Sequence, residues 1–140
     1  MYYKEKDIVI RTGIKEDIEV ISKIASKYSK EIGFVMKVVL EESCETRTLY
    51  TILYKNEIVG FCNFNIRNKD KVCVIYEICI DEKCRGLGLA KKTIELLPKP
   101  IQLKCPIDNK SNKFYKGIGF TKIDIEKGRK RPLNVWRKNK

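Results

Sequence analysis

Apolar residues recur along the chain at two spacings. An alternation of apolar and polar residues, or a short apolar run, predicts a strand, and apolar residues three or four positions apart predict a helix. The predicted strands cover residues 8–11, 49–54, 58–64, 72–80, 101–105, 120–125 and 133–137. The predicted helices cover residues 14–28, residues 34–42, and a segment that starts at the glycines near residue 88 and ends before Pro98. A short fourth helix follows, which Asp108 is expected to cap and which closes at Gly119. This order is typical of a mixed α+β fold, in which helices cover the faces of one sheet.

The predicted strand at residues 72–80 is apolar on both faces but carries one acidic side chain, Glu77. Such a pattern is typical of a strand in the middle of a sheet. A buried carboxylate is unfavourable unless it is paired, solvated or protonated, and burial raises its pKa, as a general base requires. Two interpretations stay open: a general base beside a cavity, or a glutamate that pairs with a nearby lysine or faces solvent.

A glycine-containing loop, residues 85–90 with the sequence RGLGLA, lies between that strand and the next predicted helix. Glycine has no Cβ, so an anion can approach the main-chain N–H groups closely, and the helix dipole adds to the attraction. The loop is not the dinucleotide pattern, because Lys91 stands where the third glycine is required, and a P-loop does not occur. Taken alone, the loop is equally consistent with an anion site and an ordinary helix entry.

Charge is distributed unevenly along the chain, which carries 30 Lys and Arg against 18 Asp and Glu, a net charge of +12. Residues 1–70 have a net charge of +1 and residues 71–140 a net charge of +11. This asymmetry predicts a positive surface that attracts nucleic acid, a phosphorylated cofactor or an acidic substrate. A surface that serves only solubility explains the same charge equally well.

The chain has six cysteines and no histidine. No two cysteines form a C-x-x-C pair, so a zinc site is not expected, and mechanisms that need a Ser-His-Asp or Cys-His arrangement are excluded. We therefore expect no metal. No apolar run approaches the roughly 20 residues of a membrane span, and no signal peptide is recognisable. These features predict free thiols and a cytoplasmic location.

Two motifs resemble the signatures of the GNAT superfamily of acetyl-CoA-dependent N-acetyltransferases. Arg85-x-x-Gly88-x-Ala90 resembles the motif [QR]-x-x-G-x-[GA], and residues 112–120 (NKFYKGIGF) resemble N-x-F-Y-x-x-x-G-F. The two occur on the expected elements and at the expected spacing. The resemblance implies one GNAT-like domain over residues 1–140, with a twisted mixed sheet of about seven strands flanked by about four helices.

The resemblance also implies a site for acetyl-CoA as co-substrate. Its pyrophosphate would bind the N–H groups of the loop at residues 85–90, and its pantetheine arm would pair with the strand around Ile78 and Ile80. Asn112 matches a position that often contacts the cofactor arm. The implied cofactor-binding residues are Ile78, Cys79, Ile80, Arg85, Gly86, Leu87, Gly88, Leu89, Ala90, Asn112 and Tyr115.

The implied reaction is direct attack of a primary amine on acetyl-CoA in a ternary complex. By resemblance, Glu77 removes the ammonium proton and Tyr115 protonates the departing CoA thiolate. A main-chain N–H near Cys79 would stabilise the oxyanion. An acetyl-cysteine intermediate on Cys79 or Cys84 is disfavoured, because no histidine is present to activate either thiol.

Two other functions stay open: a basic nucleic-acid-binding module, and a GNAT-like protein that binds CoA without turnover. The aromatic residues near the basic stretch, Tyr115 and Trp136, are too few for a base-stacking platform. The acceptor is an unidentified amine, either a small molecule or a protein amine. In the family the last hairpin frames the acceptor site, and its basic residues here disfavour a polycation such as spermidine. Both a monomer and a homodimer are compatible with the sequence, and no membrane partner is expected.

Overall fold

The computed structural model describes residues 2–140, which form eight strands and five helices. The strands are β1 (Tyr2–Glu5), β2 (Ile8–Thr12), β3 (Leu49–Tyr54), β4 (Glu57–Ile66), β5 (Cys73–Ile80), β6 (Ile101–Pro106), β7 (Thr121–Glu126) and β8 (Leu133–Lys138). The helices are α1 (Ile18–Lys27), α2 (Ser29–Ile32), α3 (Lys37–Glu45), α4 (Leu89–Leu96) and α5 (Ser111–Gly117). Short 3-10 turns cover Lys15–Asp17 and Glu82–Cys84.

The strands form one mixed sheet in the order β1-β2-β3-β4-β5-β6-β8-β7. β5 and β6 are parallel, whereas the pairs β1–β2, β2–β3, β3–β4, β6–β8 and β7–β8 are antiparallel. The predicted mixed α+β fold is therefore confirmed, with eight strands among the described residues instead of about seven. None of the helices in residues 2–140 is long and apolar enough to cross a membrane.

The additional strand is β1, which pairs with β2 in the register Tyr2↔Arg11 to Glu5↔Ile8. It was missed because it lies at the sheet edge with most of its side chains exposed. Such a strand has no buried face, so its sequence lacks the apolar alternation by which strands are recognised.

The second predicted helix begins later than expected, at Lys37 instead of residue 34. Gly33 has a φ of +83°, a conformation that ends α2 and that glycine adopts without steric cost. Met36 then has an extended backbone, and the side chain of Phe34 is 82% exposed. The predicted start of this helix at residue 34 is therefore wrong.

The predicted cap of the short helix α5 is also wrong. Asp108 does not cap it but pairs with Arg131, at 3.0 Å between Oδ2 and Nη1. The main-chain N–H of Ser111 instead donates to the side-chain Oδ1 of Asn109 at 2.8 Å. A side chain can bind the nearest free N–H group or a distant cation, and the sequence does not distinguish these cases.

The chain divides into two compact units. The first unit contains the residues up to Phe64 together with Glu77–Leu96, and the second contains Asn65–Tyr76 and Leu97–Lys140. The core of the first unit is formed by one face of α1, by Leu40 of α3 and by side chains of β3, β4 and β5. The predicted single domain over residues 1–140 stays a prediction.

Candidate active site

The loop between β5 and α4, in the first unit, presents main-chain donors at the start of the helix. Gly86 and Gly88 have φ values of +87° and +76°, and a Cβ built on either would meet no atom within 4 Å. The main-chain N–H groups of residues 86–90 donate to no other described residue, and the first bond of this helix joins Lys92 N to Gly88 O at 3.0 Å. Such a row of unpaired N–H groups at a helix N-terminus can bind an anion.

Arg85, at the start of this loop, is held by protein groups of the first unit. Its main-chain N–H donates to Glu82 O at 3.2 Å, and its Nε donates to Ile80 O at 2.9 Å. Its Nη2 donates to Glu31 Oε2 at 3.0 Å, and the guanidinium lies 4.8 Å from the centre of the Tyr28 ring. The side chain therefore positions the loop against α2, and the main-chain N–H groups that follow it are the ones available to a ligand.

Tyr28, the residue after α1, holds the start of the 3-10 turn Glu82–Cys84, which leads into the glycine loop. Its buried hydroxyl accepts the main-chain N–H of Glu82 at 2.7 Å and donates to Asp81 Oδ1 at 3.2 Å. Lys27 lies 3.6 Å from the same carboxylate oxygen of Asp81. These contacts tie the end of α1 to the entrance of the glycine loop. In the sequence, Tyr28 stands out only as the last apolar residue of the predicted helix at residues 14–28.

Glu77 of β5 is half-buried, and burial raises the pKa of its carboxyl above the ordinary value. Its Oε1 accepts a hydrogen bond from Asn63 Nδ2 at 2.9 Å. Asn63 is fully buried in β4, and its Oδ1 accepts a hydrogen bond from Ser43 Oγ at 2.6 Å. The partner of Glu77 is thus an amide and not a lysine, and the chain of three residues fixes the orientation of the carboxyl. Burial raises the pKa of Glu77 more than the hydrogen bond from Asn63 lowers it, so the pKa stays above its ordinary value.

Asn63 and Ser43 were missed as supporting residues. The signal available was a polar residue at position 63 inside the otherwise apolar run of β4. A buried amide has to satisfy its donors and acceptor within the protein. The partner that it finds, however, lies on another strand, so its link to Glu77 needed the fold.

The end of β5 lies against the main chain of β4. A Cβ built on Gly60 would lie 2.4 Å from Cys79 O, so only glycine fits here without a shift of the backbone. Cys79 and Ile80 are buried, whereas Ile78 is half-buried. Burial raises the pKa of the Cys79 thiol to about 11. The thiol is therefore protonated at neutral pH, which makes Cys79 a poor nucleophile.

Asn112 and Tyr115 lie on α5, in the second unit. Asn112 Nδ2 donates to Pro106 O and to Asn109 O, both at 2.8 Å. Its Oδ1 accepts from Asn134 Nδ2 at 3.0 Å and from Trp136 Nε1 at 2.8 Å. Two donated and two accepted bonds use the capacity of an amide side chain. Asn112 therefore connects α5 to β6 and β8.

Tyr115 is buried, and its ring packs edge-on against two phenylalanines. The ring centroids lie 5.4 Å from Phe114 and 5.6 Å from Phe120. Its main-chain carbonyl accepts the N–H of Phe120 at 3.0 Å. The aromatic residues of the second motif therefore fix the position of the tyrosine ring within the second unit.

β5 and β6 pair in parallel within the second unit, where Cys73–Ile75 stand opposite Ile101–Leu103. β5 continues along the chain to Ile80.

No group of three or more Cys, Asp or Glu side chains in residues 2–140 is arranged to hold a metal ion.

Comparison with known proteins identifies the family of the chain. The sequence model of the acetyltransferase (GNAT) family matches residues 19–120, and the chain belongs to this family. A relative from Pseudomonas phage PaMx11, named 5-NmdU N-acetyltransferase, is 28% identical over 122 residues, which cover 81% of this chain and 87% of the relative.

Two solved structures show the same fold. A GNAT-family acetyltransferase from Bacillus cereus superposes with a TM-score of 0.80 at 16% identity, over 95% of this chain and 97% of its own. The yncA structure from Salmonella typhimurium, which contains its cofactor acetyl-CoA, superposes with a TM-score of 0.75 at 16% identity, over 96% of this chain and 94% of its own. The resemblance noted in the sequence is therefore confirmed at the level of family and fold.

Proposed function

We propose that this protein is an N-acetyltransferase that moves an acetyl group from acetyl-CoA to a primary amine. The observation that carries the proposal is the row of unpaired main-chain N–H groups at residues 86–90, which begins α4 and has open space around both glycines. A diphosphate fits these donors because its oxygens accept several hydrogen bonds and its charge complements the helix dipole.

In this proposal, residues 86–90 bind the pyrophosphate through their main chain. Arg85 supports the loop, since its Nε, its Nη2 and its main-chain N–H already have partners within the protein. The main chain of residues 78–80 pairs with the pantetheine arm in the manner of an added strand. Asn112, whose side-chain hydrogen bonds are used within the protein, acts on the cofactor site by holding α5 in place.

The chemical step requires proton transfers at both the nitrogen and the sulfur. A primary amine with an ordinary pKa of about 10.4 is protonated at neutral pH and cannot attack until a base removes a proton. Glu77 is assigned this role because burial raises its pKa and because Asn63 fixes its carboxyl. The amine nitrogen then bonds to the acetyl carbon, the carbon–sulfur bond breaks, and Tyr115 gives its phenolic proton to the CoA thiolate. The nitrogen still carries one surplus proton, which passes to the Tyr115 phenolate, so that the product is a neutral amide and the phenol is restored. A main-chain N–H near Cys79 stabilises the oxyanion in between.

The acceptor is proposed as a small-molecule or polymer-bound primary amine. The name of the phage relative makes 5-NmdU one acceptor to include among the amines tested. A cytoplasmic location is part of the proposal, since all six cysteines are free thiols, as in a reducing compartment.

The test is the release of free CoA thiol on incubation with acetyl-CoA and a panel of primary amines. We expect release with at least one amine, and Tyr115→Phe is expected to lower kcat by about 10²-fold or more, the usual contribution of a general acid. Tyr54→Phe, on the half-exposed end of β3, is the matched control and should retain the wild-type rate.

Two results contradict the proposal in different ways. An unchanged rate in Tyr115→Phe removes this tyrosine from the reaction. Calorimetric binding of CoA without thiol release, over a panel that includes 5-NmdU, identifies a GNAT-like protein that binds the cofactor without turnover.

A further inference from the structure

The net positive charge of this protein lies entirely in the second unit. The first unit contains 14 Lys and Arg and 14 Asp and Glu, and is neutral. The second unit contains 16 Lys and Arg against 4 Asp and Glu, a net charge of +12 within 56 residues. Charge needed only for solubility would be spread over both units, whereas charge that binds a partner is concentrated on the surface that meets it.

The acidic side chains of the second unit do little to reduce this field. Three of them are in ion pairs: Asp70 with Arg67 at 2.8 Å, Asp108 with Arg131 at 3.0 Å and Glu126 with Lys104 at 2.7 Å. The fourth, Asp124, accepts the main-chain N–H of Ile125. Thirteen of the 16 basic residues lie outside these three ion pairs.

Two groups of these cations are exposed, and the local structure fixes their positions. The first is a stripe formed by Lys110, just before α5, and by Lys113 and Lys116 of α5, whose spacing of three residues puts them on one side of the helix. The second is the turn between β7 and β8, residues 127–131, which we call the basic turn; it presents Lys127, Arg129 and Lys130 to solvent.

The basic turn is a compact structure. A Cβ built on Gly128 would lie 2.3 Å from Arg131 O, so the turn closes tightly. The ion pair between Arg131 and Asp108, together with a hydrogen bond from Ile107 N to Pro132 O at 3.2 Å, holds it against the segment before α5. Its cations are thus presented on an ordered support.

We propose that the second unit binds the phosphate backbone of a nucleic acid, and that this polymer carries the acceptor amine. The acceptor part of this inference rests on the proposed acetyltransferase function. A nucleic acid presents one phosphate charge per strand about every 3.4 Å over a long surface, which suits cations spread over a helix and a separate turn. A short acidic peptide would require only a local cluster. Tyr115, Phe120 and Trp136 are buried, so contact is made with phosphates and not by stacked bases.

The test measures binding of the full-length protein to a fluorescein-labelled DNA duplex by fluorescence anisotropy over a range of salt concentrations. We expect affinity to fall steeply with salt, with a slope of about −0.9 in log K against log salt for each phosphate neutralised. The triple variant Lys127→Gln, Arg129→Gln, Lys130→Gln should weaken binding and reduce that slope by about 3. A matched triple variant in the neutral first unit, Lys15→Gln, Lys23→Gln, Lys30→Gln, should bind as the wild type does, with circular dichroism melting to confirm that both variants fold.

The acceptor part is tested separately by acetylation kinetics. With an oligonucleotide that bears a primary amine, the basic-turn variant should raise KM at least about 10-fold, well beyond any change in its KM for a small free amine, because three phosphate contacts are lost. Equal changes in both KM values overturn the assignment of the acceptor to a nucleic acid.

Three further outcomes are decisive. Absence of duplex binding by the wild type at low salt contradicts the proposal that the second unit binds nucleic acid. Displacement of the duplex by poly-glutamate at an equal concentration of charge also contradicts it, and favours an acidic protein as the partner. Salt-dependent DNA binding by a protein that releases no thiol with any amine supports the surface and refutes the acetyltransferase function and, with it, the acceptor assignment.

Discussion

The hydroxyl group of Tyr28 is the most direct test of how α1 supports the glycine loop. It accepts the main-chain N–H of Glu82 at 2.7 Å and donates to Asp81 Oδ1 at 3.2 Å. Tyr28→Phe removes one oxygen atom and keeps the ring, which packs in the core of the first unit and lies under the Arg85 guanidinium. The substitution therefore isolates the two hydrogen bonds from the packing.

The expected loss in the free energy of unfolding is about 2 kcal/mol. A neutral hydrogen bond contributes about 0.5–1.5 kcal/mol and one to a charged group about 1.5–3 kcal/mol. The bond to Asp81 lies at the lower end of the second range, because it is long and because Lys27 also contacts that carboxylate, at 3.6 Å. The part-buried bond from the Glu82 N–H supplies the rest, at the lower end of the first range because water can replace the hydroxyl there.

The assay is urea unfolding at pH 7, together with the KM for acetyl-CoA. Tyr28→Phe should lower the unfolding midpoint without changing the m-value, and it should raise KM, since the loop that follows Glu82 loses one of its supports. Tyr54→Phe is again the control. Unfolding within about 0.5 kcal/mol of the wild type, the usual range for inert surface changes, together with an unchanged KM, would refute the claim that α1 holds this loop.

Three other perturbations test the geometry of the first unit. Gly60→Ala should destabilise the fold by about 1–3 kcal/mol or more, because its Cβ would lie 2.4 Å from a main-chain oxygen. The control is Gly117→Ala, whose Cβ meets no atom within 4 Å and which should unfold close to the wild-type midpoint. Equal unfolding midpoints for the two variants would contradict the clash at Gly60. Glu77→Gln should lower kcat by about 10²- to 10⁴-fold and should raise the free energy of unfolding at pH 7. Burial raises the pKa of the carboxyl, so its ionised form destabilises the fold at pH values above the ordinary pKa. A fully active Glu77→Gln variant would rule out Glu77 as the base. For Asp17, burial alone would raise the carboxyl pKa, but the four hydrogen bonds that the carboxylate accepts outweigh burial and lower the pKa. Its contribution to stability should be present at neutral pH and be lost as pH falls through the ordinary value of 3.8 towards the lower pKa of the folded state. Asp17→Asn should not show this loss in acid unfolding curves.

Much of the fold could be predicted from local pattern. β3 has the predicted bounds, and the strands around it differ from the prediction by two residues or fewer at each end. These strands have one or both faces buried. Their apolar residues therefore alternate or form a continuous run, and either pattern can be recognised in the sequence. The exposed strand β1 and the apolar segment around Phe34 follow no such rule, since their residues do not face a core.

For the candidate site, the chemistry of the residues was visible in the sequence, but their partners were not. The glycines at 86 and 88 and the acidic residue at 77 stand out because each is unusual for its local element. Whether the Arg85 guanidinium is free to meet a ligand depends on Glu31, which lies 54 positions away along the chain.

What the sequence by itself determined is the set of elements, the family motifs and the total charge, because these depend on neighbouring residues or on composition alone. Only the tertiary structure decided that Glu77 pairs with Asn63, that Asn112 uses its side chain within the protein, and that the entire net charge falls in one unit. The physical reason is that hydrogen bonds and electrostatic fields depend on distance in space, and folding brings together residues whose separation along the chain carries no local signal.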